Sequence, residues 1–158
     1  KFNTDIIGYL RDEFKLLIGE KTAESVKIAI GSVAPGEPME AEVRGRDLVT
    51  GLPREVVITD ADIREAMGQS ILGLIDGIKE VLETTPPEIL GDIMNRGIVL
   101  SGGGAMLHGL DTLLSNMLKI PVTVTEDPLT AVARGAGIVL EDINYYKEVL
   151  LPDYDTER

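Results

Sequence analysis

The hydrophobic positions of the chain recur with two periods, which predict helices alternating with short strands. Apolar side chains at three- and four-residue steps near the amino terminus predict a first helix that ends at Gly19. A second, shorter helix is predicted over residues 23–30 and is closed by Gly31. Residues 39–44 then alternate between apolar and charged, as in a half-exposed strand, and residues 56–58 form the next strand after a loose hairpin.

A long helix follows, predicted over residues 60–82 with Asp60 as its cap, and a short helix begins at Pro86. Residues 98–100 and 122–125 are predicted strands joined by a helix, so we expect them to pair in parallel. Two strands are too few for a stable sheet covered by helices. The missing strands are therefore expected outside this sequence, as part of a longer protein.

These elements divide the α/β chain into three predicted regions. Residues 1–22 and 60–142 form a larger body, into which a small αββ lobe of residues 23–59 is inserted. Residues 143–158 form an acidic tail that is expected to be disordered.

A glycine turn after the first parallel strand is the strongest local motif. The apolar run of residues 98–100 leads through Ser101 into Gly102, Gly103 and Gly104, and apolar residues at helical spacing predict a helix from Met106 onward. Because glycine has no side chain, a ligand can approach the backbone closely there. A helix start also presents free N–H groups and the positive end of the helix dipole. The turn therefore suits a phosphate or a ribose, although three adjacent glycines also make an ordinary tight turn.

Composition narrows the possible partners. The chain has 158 residues, of which 44% are hydrophobic and 4% aromatic, so its core is aliphatic. A net charge of −12 argues against binding to nucleic acid, which needs clustered basic side chains. The absence of cysteine excludes disulfides and thiolate metal sites. No run is long and apolar enough to span a bilayer.

Few side chains are candidates for chemistry. Glu24 and Lys27 are three residues apart on one helix face. There they form either a solvated ion pair or a pair that holds the hydroxyls of a sugar. His108 is the only histidine, so histidine metal clusters and histidine-based triads are excluded, and we expect it to be a surface or packing residue. Asp60 and Asp62 are explained by a helix cap beside a first-turn acid.

Five segments carry a resemblance to a known family. They are LLIGEKTAE at 16–24, VRGRDLVTGLP at 43–53, TPPE at 85–88, GIVLSGGGA at 97–105 and TEDPLTAVA at 125–133. In this order they resemble the MreB family of bacterial actin homologues, which determine rod shape. The resemblance covers the chain from Lys1 to about Asp142, and the acidic tail departs from it.

The resemblance implies an actin-like (ribonuclease H-like) ATPase fold, of which this chain would be the second half. Family members hold ATP or ADP in a cleft, and three adjacent glycines lie against the ribose and α-phosphate. Two other positions meet the ribose hydroxyls and the base edge. The residues expected to contact the nucleotide here are Ala23, Glu24, Val26, Lys27, Gly102, Gly103, Gly104, Ala105 and Met106.

The resemblance also implies a cytoplasmic filament protein that controls cell shape and guides wall synthesis at the inner face of the membrane. Expected partners are further copies of itself and cell-shape membrane proteins such as RodZ. The family's phosphate loops, magnesium-handling aspartate, catalytic glutamate and membrane-inserting segment all lie upstream of Lys1. Mg²⁺ and hydrolysis are therefore expected only in the full-length protein. The alternatives are a protein-interaction module with an empty glycine turn and, less well matched at residues 43–53, a sugar kinase or chaperone fragment.

Overall fold

The structure is a computed structural model that describes residues 1–150. Its helices and strands alternate as an α/β chain. They are α1 (Phe2–Glu13), β1 (Leu16–Leu17), α2 (Glu20–Ile30), β2 (Glu40–Asp47), β3 (Pro53–Thr59), α3 (Asp60–Thr84), α4 (Pro87–Arg96), β4 (Ile98–Leu100), a 3₁₀ helix (Gly103–Met106), α5 (Leu110–Leu118), β5 (Val122–Val124), α6 (Ala131–Glu141) and a second 3₁₀ helix (Lys147–Val149).

A three-stranded antiparallel sheet has the order β1-β2-β3 and contains both strands of the predicted αββ lobe. The sequence predicted two strands and a first helix that reached Gly19, and both expectations were wrong. Lys15 takes a left-handed conformation (φ 53°) that ends α1, and Leu16 then pairs with Asp47 of β2. Gly45 permits this approach, because a Cβ there would lie 2.5 Å from the Leu17 carbonyl oxygen.

The β2–β3 hairpin is tightly fixed by one carboxylate rather than loose as expected. Asp47 Oδ1 accepts hydrogen bonds from the backbone N–H groups of Val49 (2.7 Å) and Thr50 (2.9 Å). Its second oxygen accepts from Arg54 Nη1 at 3.1 Å. These hydrogen bonds, led by the one from Thr50, hold the pKa of Asp47 below its ordinary value.

The long helix α3 begins with a capping box. Thr59 is its N-cap, and the Thr59 side chain and Asp62 bond each other's backbone N–H groups. Asp60 was the expected cap, but it is the first helical residue and serves a different purpose. Its buried carboxylate accepts from the Met39 backbone N–H at 3.3 Å and pairs with Arg64. This contact ties the start of β2 to the start of α3.

The first three helices enclose a core that continues from the small sheet into the larger body. Its fully buried side chains include Ile6, Leu10, Ile58, Ile63 and Met67. Leu114 of α5 and Val122 of β5 belong to the same cluster. At the edge of this core, the Tyr9 hydroxyl donates to carboxylates of α3, with both distances 3.3 Å. Burial, followed by the negative charges of Asp62 and Glu65, raises the pKa of Tyr9 to about 12.

Strands β4 and β5 pair in parallel, as predicted, with Ile98 opposite Val122. Gly97 leads into this sheet with φ 81° and ψ −172°. A Cβ at Gly97 would lie 2.5 Å from the carbonyl oxygen of Pro121, and that oxygen accepts a hydrogen bond from the Ile98 N–H at 2.8 Å. The sheet has two strands within residues 1–150.

The end of the described chain packs loosely. Helix α6 begins at Ala131, and Val132 on it is 73% exposed. None of the α6 residues is buried, and Val99 on β4 is also exposed. Residues 143–150 of the tail form turns and a short 3₁₀ helix, and the remainder of the tail, residues 151–158, lies outside the described residues.

Candidate functional site

A cavity of about 820 Å³ opens between α2, the loop before β2 and the glycine turn after β4. Its size is within the range of small-molecule binding sites. Five of the nine residues proposed from sequence line it. They are Glu24, Lys27, Gly103, Gly104 and Met106. The structure therefore brings α2 and the glycine turn together, although they are separated by about 75 residues in the sequence.

The other four proposed residues do not line the cavity, and three of them are buried. Ala23 and Val26 are buried in the core, and Ala105 is buried beneath the glycine turn. Gly102 precedes the 3₁₀ helix, and its N–H donates to the Pro128 carbonyl at 2.7 Å. None of these four is among the cavity-lining residues. A direct nucleotide contact by them remains a prediction.

The polar wall of the cavity comes from one face of α2. Ala23, Val26 and Ile30 anchor one face of the helix in the core, and this fixes the rotation of the helix. Glu24 on the exposed side and Lys27 at the border of the buried face then both line the cavity. The Lys27 Nζ lies 3.7 Å from Glu24 Oε1, beyond hydrogen-bonding distance. The Glu24 side chain is 54% exposed, and the hydrogen bonds of the described residues include none to its carboxylate.

The opposite wall is bare backbone. Gly102 has φ 82° and ψ 173°, a conformation essentially restricted to glycine, and Gly103–Met106 forms one 3₁₀ turn. A Cβ at Gly104 would meet nothing within 4 Å, and one at Gly103 would come 3.5 Å from Leu129. The predicted α-helix does not start here, because α5 begins at Leu110. The dipole of an α-helix therefore does not act on the turn.

The segment after α2 pairs with the segment after the glycine turn, and Ser32 and His108 of these segments line the cavity. Val33 N–H donates to the His108 carbonyl at 3.0 Å, and Ser32 pairs with His108 in an isolated parallel bridge. Gly109 has φ 80°, and a Cβ there would lie 3.1 Å from the Ala34 Cβ, so the loops touch closely. His108 itself is exposed and lines the cavity.

Sequence reasoning missed the third wall. Gly36, Glu37 and Met39 of the loop before β2 and Asp60 of α3 also line the cavity. The only available signal was the run of proline and glycine at 35–38, which identifies a loop and says nothing about where the loop packs. Asp60 could have been suspected only through its contact with the Met39 N–H, which is a property of the fold.

The chemistry of the cavity suits binding. A free carboxylate and an ammonium group can bond to hydroxyls, while Met106, Ile28 and Leu107 provide an apolar surface for a flat ring. Within residues 1–150, no group of three or more histidine or acidic side chains is arranged to hold a metal ion. In the same range, no helix is long and apolar enough to cross a membrane.

Comparison with known proteins gives the family. The model of the MreB/Mbl protein family matches residues 1–148. The chain belongs to the MreB/Mbl family. It is 48% identical over 145 residues to the cell shape-determining protein Mbl of Bacillus cereus, covering 91% of this chain and 44% of the relative. It is 47% identical over 147 residues to the cell shape-determining protein MreB of Escherichia coli, covering 92% and 42% respectively.

The fold also matches a solved family member. The crystal structure of MreB5 of Spiroplasma citri bound to ADP superposes with a TM-score of 0.88 at 37% identity, over 93% of this chain and 45% of that one. This agreement confirms the actin-like α/β fold. The chain spans less than half the length of each of these relatives.

Proposed function

We propose that this chain supplies the adenosine side of the nucleotide cleft in an ATP-dependent, actin-like protein of the cell-shape cytoskeleton. The observation that carries the proposal is the convergence of Glu24 and Lys27 with the bare backbone of Gly103 and Gly104 across one cavity. The MreB/Mbl relatives are named cell shape-determining proteins, and MreB5 has been crystallised with ADP.

An adenosine group fits the residues present. The Glu24 carboxylate can accept hydrogen bonds from two sugar hydroxyls, and the absence of a Cβ at Gly104 lets a ribose approach the backbone. Met106 and Ile28 offer apolar contact to the base. We expect the chain alone to bind ATP or ADP through the nucleoside and not to hydrolyse ATP, with Mg²⁺ bound only when the rest of the protein is present.

The wider role follows the family and forms part of the same proposal. The complete protein would polymerise with copies of itself, would work at the inner face of the cytoplasmic membrane, and would guide wall synthesis together with membrane proteins such as RodZ. Its membrane attachment would use segments outside this sequence.

Isothermal titration of the purified chain with ADP and with adenosine tests the nucleotide proposal. The Gly104→Ala variant should weaken both ligands by roughly tenfold or more, because the new methyl group takes ligand space, while protein stability changes by less than about 1 kcal/mol. The matched control is Gly91→Ala on α4, where a Cβ also meets nothing within 4 Å and which does not line the cavity. It should bind as the unsubstituted chain does. Equal binding by both variants would contradict the proposal.

The exposed apolar surface of α6 and β4 favours a second candidate, a protein-interaction module that needs no nucleotide. Val132 and Val99 are 73% and 64% exposed. Substituting Glu24 by alanine separates the two candidates. It should lower nucleotide affinity if the cavity is an adenosine site, and it should have no effect on an interaction module whose glycine turn is empty.

A further inference from the structure

Asn3, at the start of α1, bonds to side chains of α2 without lining the cavity itself. Its Oδ1 accepts a hydrogen bond from Lys27 Nζ at 2.9 Å. Its Nδ2 donates to Glu20 Oε1, also at 2.9 Å. One amide therefore connects α1 to two side chains of α2. Of these two, Lys27 lines the cavity and Glu20 does not.

The chemistry of the two partners fixes the orientation of this amide. A lysine ammonium can only donate, and a glutamate carboxylate can only accept. The oxygen of Asn3 must therefore face Lys27 and the NH₂ must face Glu20. A reversed amide would place donor against donor and acceptor against acceptor, so the Asn3 oxygen is kept directed at the Lys27 ammonium.

The position of Lys27 decides what Glu24 can do. The ammonium lies 3.7 Å from Glu24 Oε1, near enough for attraction but too far for a hydrogen bond. An unrestrained lysine at this i, i+3 spacing could close the remaining distance and occupy the carboxylate. Asn3 supplies a competing acceptor on the other side.

We propose that Asn3 is a positioning residue of the cavity, which holds the Lys27 ammonium away from Glu24 and so keeps the Glu24 carboxylate available to ribose hydroxyls. This inference rests on the proposed nucleotide function. It assigns to α1 a part in sugar selection, although Asn3 does not line the cavity.

Adenosine and 2′-deoxyadenosine are suitable probes because they differ by one hydroxyl. The unsubstituted chain should prefer adenosine. In Asn3→Ala the preference should fall by roughly tenfold or more, because one hydrogen bond to a charged group is worth at least about 1.5 kcal/mol. Asn3→Asp loses the bond to Glu20, whose exposed side chain can turn away, but it keeps an oxygen acceptor for Lys27. It should therefore retain the preference, which a purely structural role of Asn3 would not predict. Thr4→Ala, an exposed neighbour on the same turn, is the matched control and should leave the preference unchanged.

A combined variant tests the route of the effect. In a Glu24→Ala background there is no carboxylate to keep available, so adding Asn3→Ala should cause no further loss of preference. A preference that survives Asn3→Ala refutes the positioning role while nucleotide binding stands. A further loss in the Glu24→Ala background refutes it also. If the unsubstituted chain binds neither nucleoside, the positioning role and the proposed function both fail.

Discussion

Alanine at Gly97 should destabilise the fold in two ways, through backbone strain and through a steric overlap. Its φ of 81° and ψ of −172° lie in a region that is essentially restricted to glycine, so alanine there costs about 1–3 kcal/mol in backbone strain. The added Cβ would also lie 2.5 Å from the Pro121 carbonyl oxygen. Relief of that overlap costs about 1–3 kcal/mol more. It also threatens the 2.8 Å hydrogen bond from Ile98 to the same oxygen, which is worth about 1 kcal/mol.

The expected loss of unfolding free energy in Gly97→Ala is therefore about 3–7 kcal/mol, a large part of the stability of an ordinary domain. Gly102→Ala is the matched control, since its φ and ψ are nearly the same but a Cβ would meet nothing within 4 Å. It should lose only the strain of about 1–3 kcal/mol. Urea unfolding followed by far-ultraviolet circular dichroism measures both. Equal losses would show that the Pro121 carbonyl moves aside freely, and the overlap argument would be wrong.

Three further substitutions test other parts of the fold. Between about pH 10 and 12 the chain should lose stability, because the unfolded chain releases the Tyr9 phenolic proton at a lower pH than the folded chain does. Tyr9→Phe should abolish this loss, which urea unfolding at alkaline pH measures. Asp47→Asn should destabilise the chain at pH 7, and thermal melts at decreasing pH should show the difference shrinking below about pH 4, where the unfolded carboxylate takes up its proton. Leu114→Ala, at a fully buried position, should cost about 2–5 kcal/mol in the same urea assay.

The part of the site on α2 could be predicted because the spacing of apolar residues along a helix shows which of its faces is buried. Once Ala23, Val26 and Ile30 are assigned to the core, Glu24 falls on the exposed side of the helix and Lys27 at its border, and their three-residue spacing makes them neighbours. The glycine turn was predictable for a similar reason, since a strand ending in three glycines leaves bare backbone. Their meeting across one cavity was anticipated only through the family resemblance, because nothing in the local pattern relates residue 24 to residue 104.

Features that depend on tertiary contacts were not predictable. Strand β1 escaped notice because Leu17 continues the helical spacing of the residues before it, and Lys15 carries no sign of its left-handed backbone. The loop wall of the cavity was missed because loops have no periodicity, so the sequence does not say what Glu37 and Met39 face. The start of α5 was placed too early because a 3₁₀ turn and an α-helix bury apolar residues at similar steps.

That last correction changes what the chain should recognise in a nucleotide. The sequence predicted an α-helix start at the glycine turn, whose positive dipole end would attract the phosphates of a nucleotide. Because α5 begins only at Leu110, this attraction is absent at the turn. The cavity is lined by the carboxylates of Glu24 and Glu37 and by one lysine, while Asp60 is paired with Arg64. The chain carries a net charge of −12. An anion gains little in such surroundings. Adenosine should therefore bind this chain within about fivefold of ADP, since the gain from phosphates would be under about 1 kcal/mol. Isothermal titration at low salt gives the comparison. ADP binding tenfold tighter would mean that the bare backbone of one 3₁₀ turn captures phosphate against an unfavourable field.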